Sequence, residues 1–253
     1  MAPCIAIATN DRELYAPGRG HIKEKTWQEV APYLLPWHSP LRAKLDILFA
    51  FSRATLSPNS LKKAGFLSHK PRRFTRLIVT AHPQLPGYIL KLYVDAQGYH
   101  QGKCEQQLWI ERIQGAELIR AMIGIDNCNH LFKVPKKWIY PLPQRPSPPQ
   151  GYIRKNFILV EEDMEICAAR ENEKKWKSRL VTKERLHALY TIISVLGLSD
   201  CAKPDNIPFC RDERIAFVDT QLFHQSSISH KKLLPYLRSP MRRYWQKLWT
   251  KEV

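Results

Sequence analysis

The sequence is most informative first for what it lacks. No run of apolar residues approaches the roughly 18 that a membrane-spanning helix needs. The start, MAPCIAIATNDRELY, has no basic n-region, and its apolar stretch from Cys4 to Thr9 is too short for a secretory signal. No Cys-x-x-Cys occurs, and none of the six cysteines (Cys4, Cys104, Cys128, Cys167, Cys201, Cys210) has a histidine at zinc-finger spacing, so a structural zinc site is not expected. Without an export signal the cysteines read as reduced thiols in a cytoplasmic protein. G-x-G-x-x-G, G-x-x-x-x-G-K-[ST], H-E-x-x-H and G-x-S-x-G are all absent. Acidic residues are also scarce: 23 Asp and Glu stand against 40 Lys and Arg, a net charge of +17. That excess favours anionic partners such as nucleotides, nucleic acid, acidic proteins or phosphoinositide surfaces, without choosing among them.

What is present is the material of a core. Apolar residues make up 44% of the 253, which excludes wholesale disorder. The first 73 residues read as a helical extension, with Ser39 and Pro40 opening a helix and a Ser/Pro/Lys loop from Ser57 to Arg73. From Phe74 the texture changes to strands: FTRLIVTA, a proline-rich turn around Gly87, then YILKLYVD. A helix follows over Leu108 to Ile123, then strand candidates LFKV, WIYPL and NFILVEE. A second helix, Glu184 to Leu196, ends at Gly197, and a short strand RIAFVD follows a polar loop. This segregated order predicts an α+β architecture.

The stretch from Asp200 to Asp219, DCAKPDNIPFCRDERIAFVD, carries the chemistry. A long helix precedes Lys203-Pro204-Asp205-Asn206, and thirteen residues after Asn206 an apolar strand ends in Asp219. In order and spacing the stretch resembles the protein-kinase fold, where a catalytic-loop Asn and a strand-terminal Asp hold magnesium. The resemblance runs from about Phe74 to Phe223 and implies a reduced, kinase-like bilobal fold. Residues 1–73 would be an N-terminal helical extension, 74–165 an N-lobe-like antiparallel sheet with one helix, and 166–253 a truncated C-terminal lobe. It further implies that Lys91, a cation inside an apolar strand, positions phosphates, with Glu117 on the following helix as its carboxylate partner and Glu111 as the runner-up. Val160 would lie near the gatekeeper position, with Glu161, Glu162 and Asp163 in the hinge beside adenine. Asn206 and Asp219 would hold Mg2+, and Lys203 would neutralise charge on the transferred group of ATP.

Several departures bear on activity. The base position, five residues before Asn206, is Cys201, which leaves Asp200 as the candidate base. The usual His-Arg is replaced by Leu198-Ser199, the terminal motif is Asp219-Thr220-Gln221, and no Gly-rich loop is present. Only 34 residues follow Asp219, too few for an activation segment and a peptide-binding subdomain. The sequence therefore predicts an atypical ATP- and magnesium-dependent phosphotransferase, with a pseudokinase scaffold as the alternative. A basic nucleic-acid or acidic-membrane binder is the second alternative. The acceptor is open among protein, lipid headgroup and small molecule, with the charge favouring an acidic or phosphorylated one. In the C-terminal tail Met241, Tyr244, Trp245, Leu248 and Trp249 form one helical face that would close the domain or contact an anionic surface. Small divergent kinase-like proteins resemble bacterial effectors, which implies export into a host cell without a cleavable signal as the alternative location.

Overall fold

A computed structural model of the chain describes residues 19–50, 52–67, 77–96 and 103–250. The apolar N-terminal stretch, the Lys70–Arg73 basic cluster, the first residues of FTRLIVTA, and Gly98 and Gly102 lie outside the described residues. The architecture is α+β: helices α1 (Glu24–Val30), α2 (Pro40–Ala50) and α3 (Pro58–Lys63) precede strands β1 (Ile78–Thr80) and β2 (Tyr88–Leu92). Helix α4 (Glu105–Ile125) leads to β3 (Phe132–Lys133), β4 (Lys137–Pro141) and β5 (Phe157–Glu162). Then come α5 (Ala169–Trp176), α6 (Lys183–Val195), β6 (Ile215–Ala216), a 3-10 segment (His230–Tyr236) and α7 (Ser239–Thr250).

Local chemistry explains most of these boundaries. Ser39 precedes Pro40, and its hydroxyl accepts from the Leu41 amide at 3.3 Å; the proline has no N–H to lose and its φ is already helical. The same Ser-Pro device opens α3 within the expected loop, where the Ser57 side chain accepts from the Ser60 amide at 3.1 Å. Thr182 caps α6 by accepting from the Arg185 amide at 3.1 Å. Gly197, at φ +60°, turns the chain out of α6, and a Cβ there would lie 2.7 Å from the Gln225 amide nitrogen.

Four strands form one sheet in the order β1-β2-β5-β4, and β3 and β6 pair in parallel in a second. β1 and β2 are antiparallel, with Val79 opposite Lys91. Flanking bonds from the Leu142 amide to the Asn156 carbonyl and from the Glu162 amide to the Lys136 carbonyl make β4 and β5 antiparallel as well, since one number rises as the other falls. β5 lies between two neighbours, and its first five residues are buried, as expected of a strand covered on both faces.

The chain divides into two compact units. The first comprises residues 1–85, 90–106 and 139–159, so α1 to α3 belong to the same unit as β1. Its buried hub is Asp95, which accepts two bonds from the Arg53 guanidinium at 2.8 Å each and one from the Lys155 amide at 2.7 Å. Phe49 packs between Phe66 and Tyr140, each ring 5.8 Å away. The second unit comprises residues 86–89, 107–138 and 160–253. Its core gathers Ile119, Trp176, Leu189, Ile193, Phe209, Phe217 and Trp245. The apolar face of α7 is spent inward: Trp245 is fully buried and donates to the His230 carbonyl at 2.9 Å, while Met241, Tyr244, Leu248 and Trp249 pack on the same core. Among the described residues no helix is long and apolar enough to cross a membrane.

Candidate functional site

The loop after α6 and the segment after β6 meet within the second unit. The Val218 amide donates to the Asn206 carbonyl at 3.1 Å, tying the strand end to the loop. One residue on, the Cys201 thiol donates to the Asp219 carbonyl at 3.4 Å. Asn206 is buried and spends its side-chain NH2 on Asp200, donating to the carbonyl at 2.9 Å and to the carboxylate at 3.0 Å. This leaves the Asn206 amide oxygen as its acceptor atom. Asp219, on the adjoining segment, is half-buried. A neutral oxygen and a carboxylate on adjoining segments are hard ligands of the kind magnesium takes, alongside waters and phosphate oxygens. The donor set therefore fits that ion.

Asp200 is engaged on both oxygens. One accepts from Asn206; the other pairs with Lys203, three residues along, and with Lys232 at 3.4 Å from the 3-10 segment. A carboxylate held by two ammonium groups and an amide is braced as an anchor, and it would have to exchange partners to act as a base. Cys201 offers no replacement. Burial raises its thiol well above the usual range, and the carboxylates of Asp219 and Asp200 push it further, so it stays protonated.

Segment 218–221 is held at every residue. The Val218 carbonyl accepts from Lys137 Nζ at 3.1 Å, and the Asp219 carbonyl from Cys201. The Thr220 hydroxyl is buried and donates to the Arg112 carbonyl of α4; the Gln221 amide donates to Glu111 at 3.0 Å. α4 approaches so closely at Gly115 that a Cβ there would fall on the Thr220 carbonyl oxygen. The contact is with the backbone of Thr220, whose buried hydroxyl also bonds to the α4 backbone.

The remaining expected residues are distributed as follows. Lys91 lies in β2 of the first unit and is 5% exposed. Glu117 is on an exposed flank of α4, its carboxylate paired with Arg120 in the next turn. Glu111, the runner-up, is the acceptor for Gln221. Val160 is fully buried in β5. The Glu161 carboxylate is 4% exposed and pairs with the fully buried Lys137 at 3.1 Å. β5 runs on through Glu162, whose carboxylate accepts from the Lys136 amide at 2.9 Å, and the Asp163 amide already donates to the Gly87 carbonyl.

Lys137, Arg112 and Gly115 were not singled out by sequence. A glycine inside a helix otherwise built of good formers was the one available signal for the close approach at 115. The chain matches no known protein family, and a search of curated proteins finds no match.

Proposed function

We propose that the protein is an atypical kinase-like phosphotransferase that uses ATP and magnesium. The observation that carries this reading is that the loop holding Asn206 and the segment holding Asp219 are tied together, by the Val218 amide on the Asn206 carbonyl and the Cys201 thiol on the Asp219 carbonyl. Support also comes from the order of elements: a strand pair carrying Lys91, helix α4, strands β3 to β5, helices α5 and α6, the loop, and the short strand β6 with Asp219 three residues beyond it. Asn206 and Asp219 would hold the metal, and Lys203 would place a positive charge at the mouth of the loop. Magnesium, when bound, would offset the negative charge of the phosphate oxygens. Positioning and electrostatics supply most of the rate in such transfers. The acceptor belongs to an acidic or phosphorylated class, on the strength of the +17 charge.

A second reading has its own observation. The bracing of Asp200 by Lys203, Lys232 and Asn206, beside an inert Cys201, favours a nucleotide-binding scaffold without transfer. ATP turnover, followed as phosphate release with and without Mg2+, separates the two. The phosphotransferase reading expects metal-dependent turnover that falls at least a hundredfold in Asp219→Ala; nucleotide binding with no turnover would establish the scaffold.

A further inference from the structure

The Lys137–Glu161 ion pair is deeply buried, with side-chain exposures of 0% and 4%. As a source of stability it is a poor choice, because desolvating two ions consumes most of their attraction and a pair of apolar residues of like volume often does as well. Its third partner gives it a purpose. Lys137 Nζ also donates to the Val218 carbonyl, one residue before Asp219. The cation is thus held by a carboxylate from β5 and in turn holds the backbone of the segment that carries the candidate metal ligand. Lys137 is too deeply buried to touch a nucleotide directly, and its charge lies close enough to bear on the Cys201 thiol, which clasps the next carbonyl.

We propose that Lys137 and Glu161 are positioning residues that fix Asp219 for the metal. The assignment rests on the phosphotransferase reading for its purpose, but its structural content is separate. Glu161 fixes the ammonium, and the ammonium fixes the Val218 carbonyl. Cys201, Arg112 and Glu111 fix the three residues after it, so of the four hydrogen bonds that anchor segment 218–221 the first comes from a cation held in an ion pair.

The test compares wild type with Lys137→Met, Glu161→Leu and the double variant, reading three quantities: the unfolding midpoint, amide hydrogen exchange over 218–221, and ATP affinity with Mg2+ or with EDTA. Each single variant removes the counter-charge 3.1 Å from a buried ion and is expected to lower the midpoint, and the double variant to recover it. In the double variant, exchange at 218–221 is expected to quicken at least tenfold while α6 is unchanged. ATP affinity is expected to weaken at least tenfold with Mg2+ and not at all with EDTA. A double variant with wild-type exchange at 218–221 and wild-type Mg2+-dependent affinity overturns the assignment and leaves the phosphotransferase reading standing. A wild type that shows no Mg2+-dependent affinity removes that reading, while the exchange comparison still decides the positioning role. If the double variant does not fold, Glu161→Gln serves instead. Quickened exchange confined to 218–221 supports positioning, and a uniform rise across the unit overturns it.

Discussion

Two titratable residues of the first unit sit in unusual surroundings, and each gives a measurable consequence. Asp95 is buried and takes both prongs of the Arg53 guanidinium. Asp95→Asn keeps the shape but leaves the largely buried Arg53 without its counter-charge, which is expected to cost roughly 3–5 kcal/mol in urea unfolding; a loss below about 1 kcal/mol would mean the pair is dispensable. His21 is held neutral: burial, then the charges of Arg154 and Arg53, lower its pKa from 6.5 to about 4. The unfolded chain therefore takes up the proton first. The contribution of His21 to stability is complete above pH 6.5 and is lost progressively as pH falls toward 4. In His21→Gln the slope of unfolding free energy against pH between 6.5 and 4 is expected to flatten, and an unchanged slope would assign it to other groups. At this scale legibility was uneven. Asn206 and Asp219 were readable because motif spacing is a property of the chain. The role of Lys137 was not, because Lys136-Lys137 is one of several short basic clusters in the chain, and only the meeting of β4, β5 and the segment after β6 buries one of the two. Asp200 was readable as a carboxylate near the loop, but its bracing by Lys232 depends on a segment 32 residues away.

Among the elements, α4 shows how a backbone contact overrides helix propensity. Alanine at a helical position is worth up to about 1 kcal/mol over glycine. At Gly115 that gain is set against a collision with the Thr220 carbonyl, and overpacking typically costs about 1–3 kcal/mol. At Gly124, in the same helix, a Cβ would meet nothing within 4 Å. Gly115→Ala is therefore expected to lower the unfolding midpoint and Gly124→Ala to leave it or raise it. The reverse ranking would show that α4 and segment 218–221 separate freely. Element boundaries set by chemistry local to the sequence were legible: Ser39-Pro40 opens α2, and Gly197 closes α6. The same Ser-Pro signal stood at Ser57-Pro58, where a run of polar residues was read as loop although it caps α3. α5 was passed over as a charged stretch because its stripe is only Asn172 and Trp176; its outer face is stitched by Glu171–Lys175 and Glu173–Lys177 pairs four residues apart. The RIAFVD strand shrank to Ile215–Ala216, because Val218 to Gln221 bond to side chains and to α4 and not to a neighbouring strand.

For the molecule as a whole, the sequence supported an α+β architecture, and the strand pairings and helices agree with it. What it could not supply was the division into units: α1 to α3 read as an extension ahead of a sheet, yet they share a compact unit with β1, joined through Arg53 and Asp95. That joining depends on a contact 42 residues apart in the chain, which no local pattern announces. The amphipathic tail admitted both an inward and an outward reading, and packing assigns the aromatic face of α7 to the core. Several of the bases, among them Arg42, Lys91, Arg112, Lys137 and Lys155, are buried, so the +17 charge is not wholly displayed on the surface. The central claim is that Asn206 and Asp219 together make a magnesium–nucleotide site, and calorimetric titration of the full chain with ATP tests it most directly. The expected result is binding in the presence of Mg2+ that is weakened at least tenfold by EDTA, by Asp219→Ala and by Asn206→Ala, with each variant keeping its unfolding midpoint. Wild-type protein that takes up no ATP with Mg2+, or variants that bind it as tightly as wild type, would contradict it.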